Sequence, residues 1–305
     1  MKATTTARGQ GWRGILAFLT IYVVWGSTFL AIRYAVETIP PLFVAATRHL
    51  IAGSLLLAWA WWKGERPTQQ GWRAGLILGA LFFLISHGML HWAEQFVASG
   101  VAALVIATEP VFVALMLPLF KLGAAPKAKT YAGLALGIAS VLVLFRPDVA
   151  VDRQSVIGLI VVLVSSLAWS AGIVLSQRVQ PATAGTMNAA LPLVCGALML
   201  IVAGLLHGEH RQLDVSAVTK QSLLGLLFLI FFGSLLAFSA YSWLLKHYPP
   251  TLVATHTYVN PLVAVLLGWL FAGEKISVSI VLSTVLAISA IGLVNSGSAE
   301  DECHG

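Results

Sequence analysis

The sequence predicts an all-α polytopic membrane protein, with ten transmembrane helices forming two inverted five-helix repeats around a central cavity. Three observations carry that expectation: a shortage of charge, ten apolar stretches of spanning length, and self-similarity at a near-constant offset. Of 305 residues, 58% are hydrophobic and 10% charged, whereas soluble domains run at about 45–50% and about 25%. With 18 Lys+Arg and 12 Asp+Glu, the chain cannot cover the water-facing surface of a soluble fold this size. A soluble enzyme, a nucleic-acid-binding protein and a secreted disulfide scaffold are thereby excluded, despite a net charge of +6.

A bilayer core of about 30 Å takes roughly 20 apolar residues as a helix. Stretches 13–36, 41–62, 72–93, 97–120, 130–146, 156–178, 185–206, 221–245, 251–271 and 277–295 qualify, the fifth being the shortest. Turn and charge signals separate them, among them Pro40-Pro41, Lys63 to Pro67, Ala98-Ser99-Gly100, Arg146-Pro147-Asp148, Pro181, Gly208 to Arg211, Pro249-Pro250 and Gly273-Glu274-Lys275. The first stretch follows Lys2, Arg8 and Arg13. Its apolar run is too long for a signal-peptide core, so it reads as a retained span. A cytoplasmic N-terminus puts Lys2, Arg8, Arg13, Lys63, Arg66, Arg73, Lys121, Lys127, Lys129, Arg178 and Lys246 inside. It leaves Arg33, Arg146, Arg153, Arg211, Lys220 and Lys275 outside. The positive-inside rule favours that orientation, with both termini cytoplasmic. Cys195 within the seventh stretch and Cys303 in the tail are badly placed for a disulfide.

Sliding the chain by 151 residues brings Trp92 onto Trp243, Ala103 onto Ala254, Pro110 onto Pro261, Leu115 onto Leu266 and Phe120 onto Phe271. An offset of 144 pairs Trp25 with Trp169. These matches divide the chain into repeats 1–150 and 151–305. Five helices per repeat is an odd number, so the second copy crosses in the opposite sense, an arrangement that suits alternating access.

Trp25-Gly26-Ser27-Thr28-Phe29, Ala93-Glu94-Gln95 followed by Ser99 to Ala103, Ala107-Thr108-Glu109-Pro110, and Tyr258 to Ala264 followed by Gly273-Glu274 resemble the EamA-type transporters of the drug/metabolite transporter superfamily. The resemblance covers residues 13 to 295. It implies a cavity lined by helices one, three, four, six, eight and nine, and bacterial inner-membrane export of amino acids, including aromatic ones, or of other metabolites and drugs. The chain departs from many relatives in Glu109 and in its two histidines on helix three.

Ionisable groups within spans are costly and tend to face a cavity or a partner. Glu109 lies near mid-span in the fourth stretch, and its repeat counterpart is Asn260. Pro110 and Pro261 each remove one amide donor from the helix, from the carbonyls of Ile106 and Thr257. A carboxylate beside such a kink suits an ammonium group or a proton, although a protonated Glu109 bonded to Thr108 fits the sequence too. His87, His91 and Glu94 share one face of helix three at i, i+4 and i+7. That trio suits a proton relay or interhelical bonding; a metal site lacks further ligands. Tyr241 and Ser242 lie on the matching face of helix eight, and His256 precedes Asn260 by one turn. Trp25, Trp169, Trp92 and Tyr241 suit walls of a pocket for flat or amphipathic substrates, with Thr28 beside them. Arg33 with Glu37, and Arg48 with Glu94, read as ion pairs forming a clamp or outer gate.

The leading expectation is a secondary transporter exporting small organic metabolites, amino acids first, without cofactor or metal. A multidrug exporter or facilitator, an intramembrane enzyme and a channel remain as alternatives. No Gly-x-x-x-x-Gly-Lys-Ser/Thr loop for ATP occurs, nor does a Gly-x-Ser-x-Gly motif. Proton coupling and plain facilitation both fit, as do a monomer and a homodimer.

Overall fold

The computed structural model describes residues 11–122, 128–146, 149, 152–179, 185–248, 253 and 255–302. Among them all regular structure is helical. In chain order the apolar helices are α1 (Gly11–Ala35), α2 (Pro41–Trp62), α3 (Gln69–Ala93), α4 (Ser99–Leu119), α5 (Ala128–Leu144), α6 (Arg153–Val179), α7 (Met187–His207), α8 (residues 220–247), α9 (His256–Ala272) and α10 (Val278–Glu302). Seven of them, α1 to α4 and α6 to α8, contain stretches long and apolar enough to cross a membrane. Shorter apolar segments lie in α5, α9 and α10. Tryptophans 12, 59, 61, 62 and 72 are exposed near helix ends, as an interfacial belt requires.

Local chemistry sets the ends. Pro41 opens α2, where its missing N–H costs nothing. Thr68 Oγ1 accepts from Gly71 N at 3.0 Å to cap α3, and Thr219 Oγ1 accepts from Ser222 N at 3.2 Å to cap α8. Gly208 and Gly273, with φ of 83° and 65°, stop α7 and α9 in the left-handed region open to glycine. Mid-helix, Gly79–His87 of α3 and Leu229–Leu236 of α8 are wound as π-helix. Such stretches re-aim backbone carbonyls and side chains and concentrate at functional sites.

Three carboxylates tie the bundle together. Glu65, after α2, accepts from Thr186 N (3.1 Å) and Met187 N (2.8 Å) at the start of α7. Glu209, after α7, accepts from Leu42 N and Phe43 N, both at 3.1 Å, at the start of α2. Each helix is thus capped by the residue that follows the other, at opposite ends of the pair. Glu274, after α9, accepts from Ser99 N (2.7 Å) and Gly100 N (3.1 Å) at the start of α4. A carboxylate here satisfies two orphan amides and meets the positive end of the helix dipole. Burial pushes the Glu209 carboxyl up, while the two amides pull it back.

α5 packs along α10, with Ser140 Oγ 3.1 Å from Ser283 Oγ. Gly133 and Gly137 are both buried, and a Cβ on Gly137 would sit 3.3 Å from Val111. The small-residue face of α5 is therefore used within the bundle.

We call the side where α1 begins the near face and the side where it ends the far face. The main core lies on the far side. It joins Phe29 to Val36 of α1, Leu90 to Val97, Val101 to Val105 of α4, Leu144, Leu159 and Ile280. On the near side a small cluster of Ala17, Ile21, Leu244 and Val253 joins α1 to α8 and residue 253. The near half of α4, Glu109–Leu119, stays mostly half-exposed, whereas Ser99 to Val105 are all buried. The packing is closed on the far side, around the start of α4, and looser around its near half. Arg33 is part of that closure: its Nη1 donates to the carbonyls of Glu94 (2.7 Å) and Gln95 (3.1 Å) just beyond α3.

Glu65→Ala and Glu209→Ala should each lower stability by roughly 1–2 kcal/mol through the loss of two capping acceptors. Their effects should add, since the sites lie at opposite ends of the α2–α7 pair. Thermal unfolding in detergent, followed by tryptophan fluorescence, checks this; unchanged melting would remove the capping role. Arg33→Gln should loosen the far closure. In a background lacking Cys195 and Cys303, Val97→Cys, buried in the parent, should then react several-fold faster with an impermeant maleimide added from the far side.

Candidate functional site

Two aromatic clusters flank the middle of the bundle. On α1, α8 and α9, the Trp25 ring lies 5.0 Å from Tyr241 and 4.9 Å, edge-on, from His256. Trp25 Nε1 donates to the Gly233 carbonyl at 3.2 Å, a group presented by the π-helical stretch of α8. Thr28 turns its hydroxyl back to the Trp25 carbonyl (2.6 Å). Its methyl would lie 2.9 Å from a Cβ on Gly233, so glycine is what lets α1 and α8 approach there. The Asn260 amide, oriented so that both ends are satisfied, donates to the carbonyls of His256 (3.1 Å) and Tyr22 (3.2 Å) and accepts from His256 Nδ1 (3.3 Å). Tyr22 Oη and Thr255 Oγ1, 2.5 Å apart, close the near edge of this cluster.

The second cluster stands on α2, α3 and α6. His87 stacks on Trp169 with centroids 5.1 Å apart and planes 9° off parallel, and Phe82 covers Trp169 at 4.6 Å. His87 Nδ1 is 2.8 Å from His49 Nε2. His91 Nδ1 donates back to the His87 carbonyl at 2.6 Å. Arg48, 5% exposed, donates from Nε to Ser234 Oγ at 3.2 Å and so ties α2 to the π-helical stretch of α8.

Glu109 sits between the two clusters. α4 is kinked at Ala107 and Thr108, where a tighter turn, Thr108 N donating to the Val105 carbonyl at 3.1 Å, joins Ser99–Ile106 to Glu109–Leu119 while the backbone stays in the right-handed helical region. Glu109 and Pro110 open the second half, where the proline has no amide to leave unsatisfied. Thr108 Oγ1 donates to the Val105 carbonyl (2.6 Å) and lies 3.2 Å from Ser166 Oγ of α6. Ser170 Oγ donates to the Glu109 carbonyl at 3.2 Å, which holds the kink against α6. The Glu109 side chain is half-exposed and within electrostatic reach of Tyr241.

The structure therefore brings Trp25, Thr28, Tyr241, His256 and Asn260 together on one wall and His87 with Trp169 on the other, with Thr108 and Glu109 between. Other expected members lie elsewhere. Trp92 packs on Phe96 and the far-side core, away from Trp25, because α3 turns that face outward past His91. Arg33 spends its guanidinium on backbone carbonyls, while Glu37 is exposed. Arg48 bonds Ser234, and neither oxygen of Glu94 meets a hydrogen-bond donor from the protein, so the expected Arg48–Glu94 pair does not form. His91 and Glu94, both 0% exposed, belong to the far closure. The Ser242 side chain and Cys303 lie outside the described residues, and Cys195 is a buried free thiol.

His49, Phe82, Gly233, Ser234 and the capping glutamates escape the list of expected site residues. A signal existed for two of them: Glu65 and Glu209 are 144 apart, the offset that pairs Trp25 with Trp169. The π-helical stretches leave no such mark, since Gly79–His87 reads as an ordinary apolar turn.

The model of the EamA-like transporter family matches twice, over residues 12–146 and 156–296. The chain is 34% identical over 283 residues to an uncharacterized inner membrane transporter, YedA, of Escherichia coli K12, covering 92% of this chain and 90% of that protein. It is 29% identical to protein PecM of Dickeya dadantii over 89% of this chain and 88% of that one. A solved crystal structure shares the fold with a TM-score of 0.65 at 19% identity, covering 96% of this chain and 99% of that chain. Two family matches spanning nearly the whole chain, with a relative at 34% identity, make this multi-pass membrane protein a member of the EamA-like transporter family.

Proposed function

We propose that the protein is a secondary transporter that exports small organic metabolites across a bacterial inner membrane by alternating access. The observation that carries this reading is Glu109 at the kink of α4, half-exposed and set between two aromatic clusters. Irregular helices near mid-membrane are where transporters place polar substrate groups. A carboxylate for an ammonium group, with flat faces on either side, supports amino acids, aromatic ones included, as the substrate class. Trp25, Tyr241 and His256 contact one side of the substrate, and His87 and Trp169 the other. Asn260 positions His256.

The architecture in this reading is ten spanning helices in two inverted repeats, 1–150 and 151–305. The reciprocal caps of Glu65 and Glu209 support it, since each acts on the partner's helix at opposite faces. So do the threonine caps at 68 and 219 and the π-helical stretches in α3 and α8. The near face carries Arg13, Lys63, Arg66, Arg73, Lys121, Lys129 and Arg178. By the positive-inside rule it is cytoplasmic. The conformation is then inward-facing, and α1, α3 and α4 form the outer closure.

In proteoliposomes, uptake of a radiolabelled amino-acid panel should saturate and should be stimulated by unlabelled substrate on the opposite side. Linear, unsaturable flux would point to a pore. Glu109→Gln should lower uptake of the best substrate by about tenfold or more, the scale of one lost charge-assisted hydrogen bond. Wild-type rates in that variant would remove Glu109 from the binding site.

A further inference from the structure

The far-side closure holds polar atoms that substrate binding does not use. Glu94 follows α3, is 0% exposed, and neither of its carboxylate oxygens meets a hydrogen-bond donor from the protein. Arg33 and Arg48 lie within electrostatic reach, but their hydrogen bonds go to the Glu94 and Gln95 carbonyls and to Ser234 Oγ. A fully buried carboxylate without a protein donor is strongly disfavoured in its charged form. A carboxylic acid has one O–H to give and requires one acceptor.

An acceptor stands one helical turn away. His91 Nδ1 is 2.6 Å from the His87 carbonyl. A carbonyl only accepts, so Nδ1 bears the hydrogen, and the neutral ring leaves Nε2 as a bare acceptor. That Nε2 is buried and meets no protein donor. His91 and Glu94, at i and i+3, share one face of the helix.

We propose that Glu94 and His91 form a proton-binding site within the far-side closure, where the Glu94 carboxyl holds one proton directed to His91 Nε2 through one bridging water. The neighbours define when it is held. Arg33 faces it from α1, Arg48 and His49 from α2, His87 from the preceding turn of α3, and Glu274 from the end of α9. From α6 comes Ser155, whose hydroxyl donates to the Phe96 carbonyl, and from α4 Ser99, whose Oγ has no protein partner. The arginines favour the carboxylate; burial and Glu274 favour the acid. Opening the far side admits water and frees Arg33 from the carbonyls of Glu94 and Gln95. The Glu94 O–H bond then breaks, the proton passes to far-side water, and the carboxylate left behind meets the arginines. Coupling of this proton to transport rests on the alternating-access reading; the protonation itself does not.

Infrared spectroscopy of the purified full-length protein in nanodiscs tests the site without any transported substrate. At neutral pH the wild type should show the C=O stretch of a protonated carboxyl. It should persist in Glu109→Gln, vanish in Glu94→Gln, and change frequency in His91→Phe as the bridging water loses its acceptor. A wild type without the band, or a band that survives Glu94→Gln unchanged, overturns the proposal. Should Glu94→Gln fail to fold, a hydrophobic carbodiimide, which reacts with protonated carboxyls, decides on the wild type by peptide mass mapping. An adduct on Glu94 supports the site, and adducts only elsewhere overturn it. A Glu94 band together with transport indifferent to an imposed pH gradient keeps the site and overturns its coupling.

Discussion

The capping of buried helix ends by carboxylates from other parts of the chain is the interaction on which this bundle depends. In a membrane protein, apolar side chains gain little by meeting one another rather than lipid, so polar groups with no alternative partner specify which helices meet. Glu65 and Glu209 fasten α2 and α7 to each other from both ends. Glu274 fastens the end of α9 to the start of α4. A composition with so few acids places three of them at this task, while Glu94 is fully buried with no helix end to serve and Glu109 stays half-exposed at the kink of α4.

The division between a packed far side and a looser near side gives those two residues different surroundings. Glu109 stands at the kink of α4, half-exposed and between aromatic rings. Glu94 is sealed among α1, α2 and α3, where Arg33 closes the end of α3 by binding its carbonyls. A transporter that alternates must break one such seal and form another. On the near side, Ala17, Ile21, Leu244 and Val253 form a smaller packed cluster.

Much of the architecture was legible in the sequence, because lipid imposes a length rule on apolar stretches and a strict limit on charge. The helix limits fall within a few residues of the apolar stretches, apart from the start of α9 and the end of α10. Trp25 and Trp169 were recognisable as repeat-related aromatics at mid-depth, and each does sit at the centre of an aromatic cluster. Sequence spacing failed where several partners compete for one group. Arg33 and Glu37 satisfy the i,i+4 rule, yet the unsatisfied carbonyls past α3 are buried and offer the guanidinium more than an exposed carboxylate does. The same holds for Arg48, which finds Ser234 on a helix nearly two hundred residues away.

By itself the sequence determined the solvent, the helix count to expect and the residues too costly to bury without reason, since these follow from composition and periodicity along one chain. Only the tertiary structure decided that α3 and α8 are π-wound, and that His91 and Glu94 join the far closure while His87 stacks on Trp169. Those outcomes depend on which carbonyl, amide or ring from another helix arrives opposite each group, and no local pattern in the chain encodes that meeting.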